Sequence, residues 1–329
     1  MRAPRFWNRP TPGWQAHLLA PLAALYARAT AARVARAPDL VPDRPVICLG
    51  NLNAGGTGKT PSVIALAEML KASGTEPAIV SRGYGGTLEG PARVDPTRHS
   101  AAEVGDEPLL IAAFAPVWVA RNRAEGVRAA LAEGAPLVIL DDGHQNPAVA
   151  KALSVVVVDA AVGFGNGCVI PAGPLREPVS AGLNRADAVL SIGPPEAQAA
   201  FRQRWGAEIP GPLLTASLQP LQTGLPLAGL RVLAFAGIGR PEKFFDTLRR
   251  ERAEILRAVP LGDHQPLTEG LMRRLEHDAS STGAQLVTTE KDAVRLPKSF
   301  RQKVMTVPVR LVFDDPAAVR ALLEATLSG

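Results

Sequence analysis

Asn53-Ala54-Gly55-Gly56-Thr57-Gly58-Lys59-Thr60 is the stretch on which the reading of this chain turns. An apolar run, Val46-Ile47-Cys48-Leu49-Gly50, precedes it. A helical pattern follows, with Val63, Ile64, Leu66, Ala67 and Leu70 on helical spacing and Pro61 in the first turn, where proline is tolerated. Strand, glycine-rich loop and helix in that order are what a P-loop requires. Gly55, Gly56 and Gly58, with Asn53 and Thr57 between and beside them, let backbone N–H groups close around phosphates. The helix N-terminus adds partial positive charge. Lys59 is placed to reach the β- and γ-phosphates of a nucleoside triphosphate such as ATP, and Thr60 to present its hydroxyl to Mg²⁺. Asn53 stands where the pattern usually has its first glycine, and asparagine is one of the few residues that tolerate a left-handed backbone. A glycine-rich turn that happens to carry a lysine is the competing reading, which the flanking strand and helix disfavour.

The 329 residues are enough for two domains with real cores, and 47% apolar with 20% charged residues reads as globular. Cys48 lies in the apolar run before the loop and Cys168 is far from it, so reduced thiols in a cytoplasmic compartment fit better than a disulfide framework or a zinc site. The net charge of +5 resides in residues 1–44, where Arg2, Arg5, Arg9, Arg28, Arg33, Arg36 and Arg44 face only Asp39 and Asp43. The remainder balances, which gives no case for nucleic acid. The same arm carries Phe6, Trp7, Trp14 and the apolar stretch Leu18 to Ala27. A bilayer-spanning helix needs about 20 apolar residues, and this stretch is shorter and holds Pro21. Aromatics, an apolar helix and flanking arginines suit a segment lying on an anionic membrane surface. A signal peptide and an amphipathic helix packed on the domain are the rival readings.

Further runs without alternation follow: Ala78-Ile79-Val80, Val117-Trp118-Val119, Leu137 to Leu140, Ser154 to Val158 and Ala188 to Ile192. Separated by helical patterns, they predict an α/β fold of P-loop type, a mostly parallel sheet with helices on both faces. Residues 206–226, rich in proline, glycine and leucine, read as a link. Beyond it, Arg231 to Ala236, Leu286 to Thr289 and Met305 to Phe313 predict strands, with a last helix over 316–327. The expected organisation is an arm over 1–40, a core over 41–205 and a smaller α/β domain over 227–329.

Asp141-Asp142-Gly143 ends a buried run, the position at which a P-loop enzyme keeps a second metal-side carboxylate, although Asp-Gly is also a common turn. Asp106 precedes an apolar helix and reads first as an N-cap. His264 is a lone loop histidine, ordinarily solvated. Arg82, Asn122, Arg176 and Glu177 lie in loops after predicted strands. Pro171 to Pro178 reads either as a rigid loop that engages a phosphate or as a plain surface turn.

Taken in order, these motifs resemble the tetraacyldisaccharide 4′-kinase family, the membrane-associated lipid A kinases of Gram-negative bacteria. The resemblance runs through the basic apolar arm, the P-loop, Ser81 to Gly85, Gly105 to Pro108, Asp141 to Gln145 and Gly163 to Gly167. It continues through Pro171 to Pro178, Gly237 to Gly239, Asp263-His264 and Thr288 to Asp292. It implies transfer of the ATP γ-phosphoryl to the 4′-hydroxyl of an acylated glucosamine disaccharide 1-phosphate, the lipid A precursor. It implies that Asp106, paired with His264 from the second domain, is the base, with Lys59 on the phosphates. Thr60 and Glu107 are implied near Mg²⁺, with Asp141 and Asp142 around metal and phosphates. Arg82, Asn122, Gln145, Arg176 and Glu177 match positions lining the lipid headgroup site. The implied location is the cytoplasmic face of the inner membrane, held there by the N-terminal segment, with no obligate protein partner evident. Family members more often carry an aromatic residue and a histidine around Gln145, where this chain has His144 and Asn146. The competing function class is a membrane-docked ATPase or GTPase switch with no phosphorylated lipid product.

Overall fold

A computed structural model describes residues 4–221, 226–262 and 265–328. Among these, one sheet is built around β1 (Val46–Gly50), the strand that leads into the P-loop. Its other members are β2 (Ala78–Ser81), β3 (Ala92–Arg93), β4 (Val117–Val119), β5 (Val138–Asp141), β6 (Leu153–Asp159), β7 (Ala188–Ile192), β8 (Leu213–Pro220) and β13 (Val309–Phe313). A second sheet holds β9 (Arg231–Ala236), β10 (Glu254–Pro260), β11 (Gln285–Thr289) and β12 (Val304–Val307). The first has nine strands in the order β13-β8-β7-β6-β1-β5-β2-β4-β3; the second has four, β10-β9-β11-β12. Every pairing is parallel except those of the two edge strands of the large sheet, β3 with β4 and β13 with β8.

Burial explains the unbroken apolar runs. Ile47 and Leu49 of β1 point into one core with Val63, Leu66 and Leu70 of the P-loop helix α2 (Lys59–Ala72). Val46 and Cys48 point the other way, onto Ala124, Val127 and Ala130 of the helix Arg123–Ala132. With both faces covered, no position on β1 is left for a polar residue, so the alternation that would mark a half-exposed strand is absent. β5 and β6 flank β1, with Leu49 in register with Asp141. The chain adds β2, β4 and β5 on one side of β1 and β6, β7 and β8 on the other. The order therefore reverses at β1, and ligands of such sheets bind at the carboxyl ends of the strands beside that reversal.

Two expected boundaries are corrected. Residues 206–226 do not form a plain link, because β8 lies inside them and joins the large sheet beside β7. Leu214, Ala216 and Leu218 of β8 contribute to its core at every second position, a pattern obscured by the surrounding prolines. The expected strand Met305 to Phe313 is two strands in different sheets. Pro308 lies between them and, having no N–H to donate, breaks the ladder; β12 stays in the small sheet while β13 returns to the large one. The final helix, Pro316–Ser328, follows it there and buries Val319 and Leu323 in the large-sheet core.

The N-terminal arm is pinned to the core at its start. Trp7 donates its indole N–H to the Pro171 carbonyl at 3.1 Å, and Arg204 donates to the Pro10 carbonyl at 2.6 Å. Helix α1 (Trp14–Val34) then turns Ala16, Ala23 and Thr30 inward at seven-residue spacing. Four of its large apolar residues face outward, Trp14 at 70% exposed, Leu18 71%, Leu22 55% and Leu25 60%, while Leu19 packs against the core. No helix among the described residues is long and apolar enough to cross a membrane.

Candidate active site

The P-loop leaves the carboxyl end of β1 and is shaped from inside. Asn51 donates through Nδ2 to the Gly55 carbonyl at 3.1 Å and to Thr57 Oγ1 at 3.2 Å. Gly58 sits at φ 101°, a left-handed conformation that launches α2 at Lys59, and a Cβ there would come within 2.7 Å of Ile192 Cδ1. Asn53 corrects the sequence reading: its φ is not positive, so tolerance of a left-handed backbone is not why it is there. Its side chain instead donates to the Gly163 carbonyl at 3.1 Å, and its backbone bridges to Leu175.

That bridge settles the character of residues 171–178. Ala54 N–H donates to the Pro174 carbonyl and Arg176 N–H to the Leu52 carbonyl, each at 2.7 Å. Leu175 is fully buried and Glu177 nearly so. The segment is a strap along the P-loop entrance and not a plain surface turn. Glu177 is held by Arg185 through two 2.8 Å hydrogen bonds and accepts from Gln145 Nε2 at 2.9 Å. Gln145 also donates to the Asn51 carbonyl at 2.8 Å, so loop, strap and β5 turn form one network.

Asp142 is the hub of that network. It adopts φ 60°, unusual for a residue other than glycine and costing of order 1 kcal/mol. The strain is offset by what the position achieves. Arg176 donates to its two carboxylate oxygens at 2.9 and 3.0 Å, and Lys59 Nζ lies 3.7 Å away. Burial works against its charge, but Lys59 and then Arg176 outweigh burial and hold Asp142 below the ordinary carboxylate range. Asp141 faces the opposite balance. Burial, reinforced by the nearby charge of Glu107, pushes it up to about 6 against the pull of Lys59. Ser81 donates to one of its oxygens at 3.0 Å, while Oδ1 is buried with no hydrogen-bond partner. A desolvated, singly satisfied carboxylate beside Lys59 and Asp142 fits a hard cation. No cluster of three or more acidic, histidine or cysteine ligands forms among the described residues. Mg²⁺ takes one or two carboxylates and completes its shell with phosphate and water.

Asp106 lies across from this pair, 3% exposed, at the first turn of the helix Asp106–Ile111. The N-cap is Gly105, one residue earlier than expected, and Asp106 Oδ1 accepts instead from the Glu107 N–H at 3.1 Å. The small sheet meets it there. Lys291 donates to Glu107 at 3.0 Å and stands 4.0 Å from Asp106, while Arg295 Nε is 3.8 Å from Asp106. Arg295 is itself steered by the fully buried Asp292, which also accepts from the Gly237 N–H. Lys291 and Arg295 received no role from the sequence. The charge pattern after Leu286 to Thr289 was the available signal, but nothing local says which acids it meets across the sheets. His264 lies outside the described residues.

The remaining expected positions divide. Arg82 is exposed at the end of β2 and lines a cleft with Asp142, Gln145 and Arg176. Asn122 is an exposed N-cap whose side chain accepts from the Ala124 N–H at 3.1 Å, between Arg121 and Arg123 of the cleft wall. His144 is a core residue, bonded to Ser154 and the Gly182 carbonyl and pushed down to about 4 by burial. Both cysteines are free thiols.

The comparisons show which family the chain belongs to and which solved fold it shares. The family model described as Tetraacyldisaccharide-1-P 4′-kinase matches residues 15–328. A Tetraacyldisaccharide 4′-kinase of Dinoroseobacter shibae is 61% identical over 98% of this chain and 97% of its own. One of Rhodospirillum rubrum is 50% identical over 100% and 99%. Among solved structures, an LpxK from Aquifex aeolicus in complex with ATP shares the fold, with a TM-score of 0.75 and 23% identity, covering 95% of this chain and 99% of that one. The chain belongs to the tetraacyldisaccharide 4′-kinase family.

Proposed function

We propose a division of labour within the reaction of this family, the transfer of the ATP γ-phosphoryl to the 4′-hydroxyl of tetraacyldisaccharide 1-phosphate in lipid A synthesis. The observation that carries it is the convergence of P-loop, Asp141-Asp142 and Asp106 at the carboxyl ends of the central strands of the large sheet, with Lys291 closing over the acids from the small one. The P-loop N–H groups and Lys59 hold the phosphates of ATP. Thr60, Asp141, Asp142 and Glu107 would hold Mg²⁺, which would supply charge neutralisation to the phosphates. Asp106 takes the proton of the 4′-hydroxyl as its oxygen bonds to the γ-phosphorus; the bond to the β-phosphate oxygen breaks and ADP departs. His264 keeps the role that the family resemblance implies, as partner of Asp106. Arg82, Gln145 and Arg176 line the acceptor's approach, Glu177 fixes the strap that positions Arg176, and Asn122 shapes the loop beside Arg121.

The acceptor is a lipid, and α1 offers a matching surface. Trp14, Leu18, Leu22 and Leu25 form an outward apolar face too short and polar-flanked to span a bilayer. We assign it to the interfacial layer of an anionic membrane, on the cytoplasmic face of the inner membrane where ATP is available. The test is transfer of label from γ-labelled ATP to the tetraacyl disaccharide 1-phosphate in detergent micelles. Label in the lipid is the expected result. Inorganic phosphate released irrespective of lipid would replace the kinase with an ATPase switch.

A further inference from the structure

The two sheets meet over Asp106, and one donor that the small sheet brings there is left over. Arg295 Nε is buried, has no hydrogen-bond partner among the described residues, and lies 3.8 Å from Asp106 Oδ2. Buried donors are nearly always paired, so an exception calls for a purpose.

The rest of the Arg295 side chain is fully engaged. Nη2 pairs with Asp292 and donates to the Gly237 carbonyl at 3.3 Å, and Nη1 donates to the Gln265 carbonyl at 3.3 Å. Asp292, fully buried, accepts from the Gly237 N–H at 3.1 and 3.0 Å and from the Thr289 hydroxyl at 2.7 Å. The sequence provides for this locally. Thr289 caps the short helix Glu290–Ala293 by accepting from the Asp292 N–H, and Gly237 leaves the room. A Cβ on Gly237 would stand 3.0 Å from both Arg295 Nη2 and Asp292 Oδ1. Segments after β9, before the helix Glu269–Thr282 and after β11 thus fix the plane of one guanidinium group.

On the other side, Asp106 Oδ1 accepts from the Glu107 N–H, which leaves Oδ2 as the oxygen turned to the small sheet. Each cation near Oδ2 brings an acid of its own to pair with, Lys291 with Glu107 and Arg295 with Asp292. A cation so paired exerts little net charge on its neighbour, and what remains is the direction of its N–H.

We propose that Arg295, locked by Asp292, is a positioning residue: its Nε–H turns Asp106 Oδ2 toward the acceptor hydroxyl and holds it there. This rests on the reading of Asp106 as the base. One lone pair of Oδ2 receives the Nε–H and the other is left for the hydroxyl proton, so Arg295 acts through Asp106 alone. Hydrogen bonds of this kind are commonly long before substrate arrives and tighten with it. An oxygen held in line gains its advantage in the transition state, so losing Arg295 lowers kcat and leaves KM nearly unchanged.

The test is a double-mutant cycle on the full chain, read by transfer from γ-labelled ATP to the tetraacyl disaccharide 1-phosphate in detergent micelles. Arg295→Ala is expected to lower kcat about 10- to 100-fold, with KM for ATP and acceptor within about threefold. In the Asp106→Asn background the same substitution is expected to cost less than about twofold. Asp292→Asn unlocks Arg295 without removing it and is expected to show the same coupling; melting curves check that each variant folds. Arg295→Lys keeps the charge but not the Nε–H and is expected to recover little. Removing Arg240 and Lys243, which hold Asp159 across the sheets at 2.6 and 2.5 Å, controls for loosened domains, and its cost is expected to be equal in both backgrounds. Equal losses from Arg295→Ala in both backgrounds, a loss confined to KM, full recovery by lysine, or a control that couples as strongly would overturn the positioning role. Near-normal turnover of Asp106→Asn itself would overturn the base assignment and this role with it.

Discussion

The nucleotide end and the acceptor end of this site are built in opposite ways. The nucleotide end comes from one contiguous segment, Asn51 to Thr60, and the strand end beside it at Asp141-Asp142. The end we propose for the acceptor gathers Asp106 and Lys291 from two short helices and Gln145 and Arg176 from loops, with the end of α1 at its mouth. A contiguous loop transmits a lesion directly to the phosphates, whereas an assembled wall shares its load among many contacts. The expected effects of substitution follow that contrast.

The largest belongs to Lys59. Lys59→Ala removes the cation beside Asp142 and the γ-phosphate, and single-turnover transfer is expected to fall at least about 10³-fold. A loss under tenfold would mean the two ends are not as different as the geometry implies. Lys291→Ala deletes the contact from the small sheet to Glu107; kcat is expected to drop about 10- to 100-fold, with Lys291→Arg recovering part of it. If Lys291→Ala were as severe as Lys59→Ala, the sharing of load across the acceptor wall would be refuted.

Asp141 sharpens the comparison through pH. A carboxyl pushed from 3.8 to about 6 on folding binds more protons folded than unfolded between those values, so its contribution to stability declines as pH rises through that window. Asp141→Asn is therefore expected to lose turnover yet melt on the order of 5 °C higher above pH 6 without Mg²⁺, the gain vanishing toward pH 4. No gain on thermal unfolding at pH 7.5 would show that Asp141 is not the desolvated metal-side carboxylate. The smallest catalytic effect belongs to α1. Replacing Leu18, Leu22 and Leu25 by glutamine is expected to weaken flotation on anionic vesicles about tenfold or more, and unaltered flotation would remove the membrane role.

Legibility in the sequence tracks the same divide. Val46 to Gly50, the P-loop and Leu137 to Asp142 were readable because a strand buried on both faces and a phosphate loop each impose composition locally. Of Asp142's neighbours, Lys59 was read from the motif, whereas Arg176 drew a role only from the family resemblance, since the loop around it read equally as a plain turn. The pairing of Lys291 and Arg295 with Asp106 was not readable, since it depends on how two sheets meet. Neither was the membership of β8 and β13 in the large sheet, because proline around both disguises a two-residue period that only packing reveals. Asn53 shows a subtler miss: its identity was explained by backbone freedom, whereas a hydrogen bond to Gly163 accounts for it.

The central claim is that Asp106 acts on the acceptor and not on the nucleotide. It is tested most directly by measuring kcat and ATP affinity together for Asp106→Asn, a substitution that keeps shape and the hydrogen bond to Glu107. Turnover is expected to fall about 10²- to 10⁴-fold while the Kd for ATP stays within about threefold of wild type. Near-normal turnover, or a loss that follows weakened ATP binding, would contradict it.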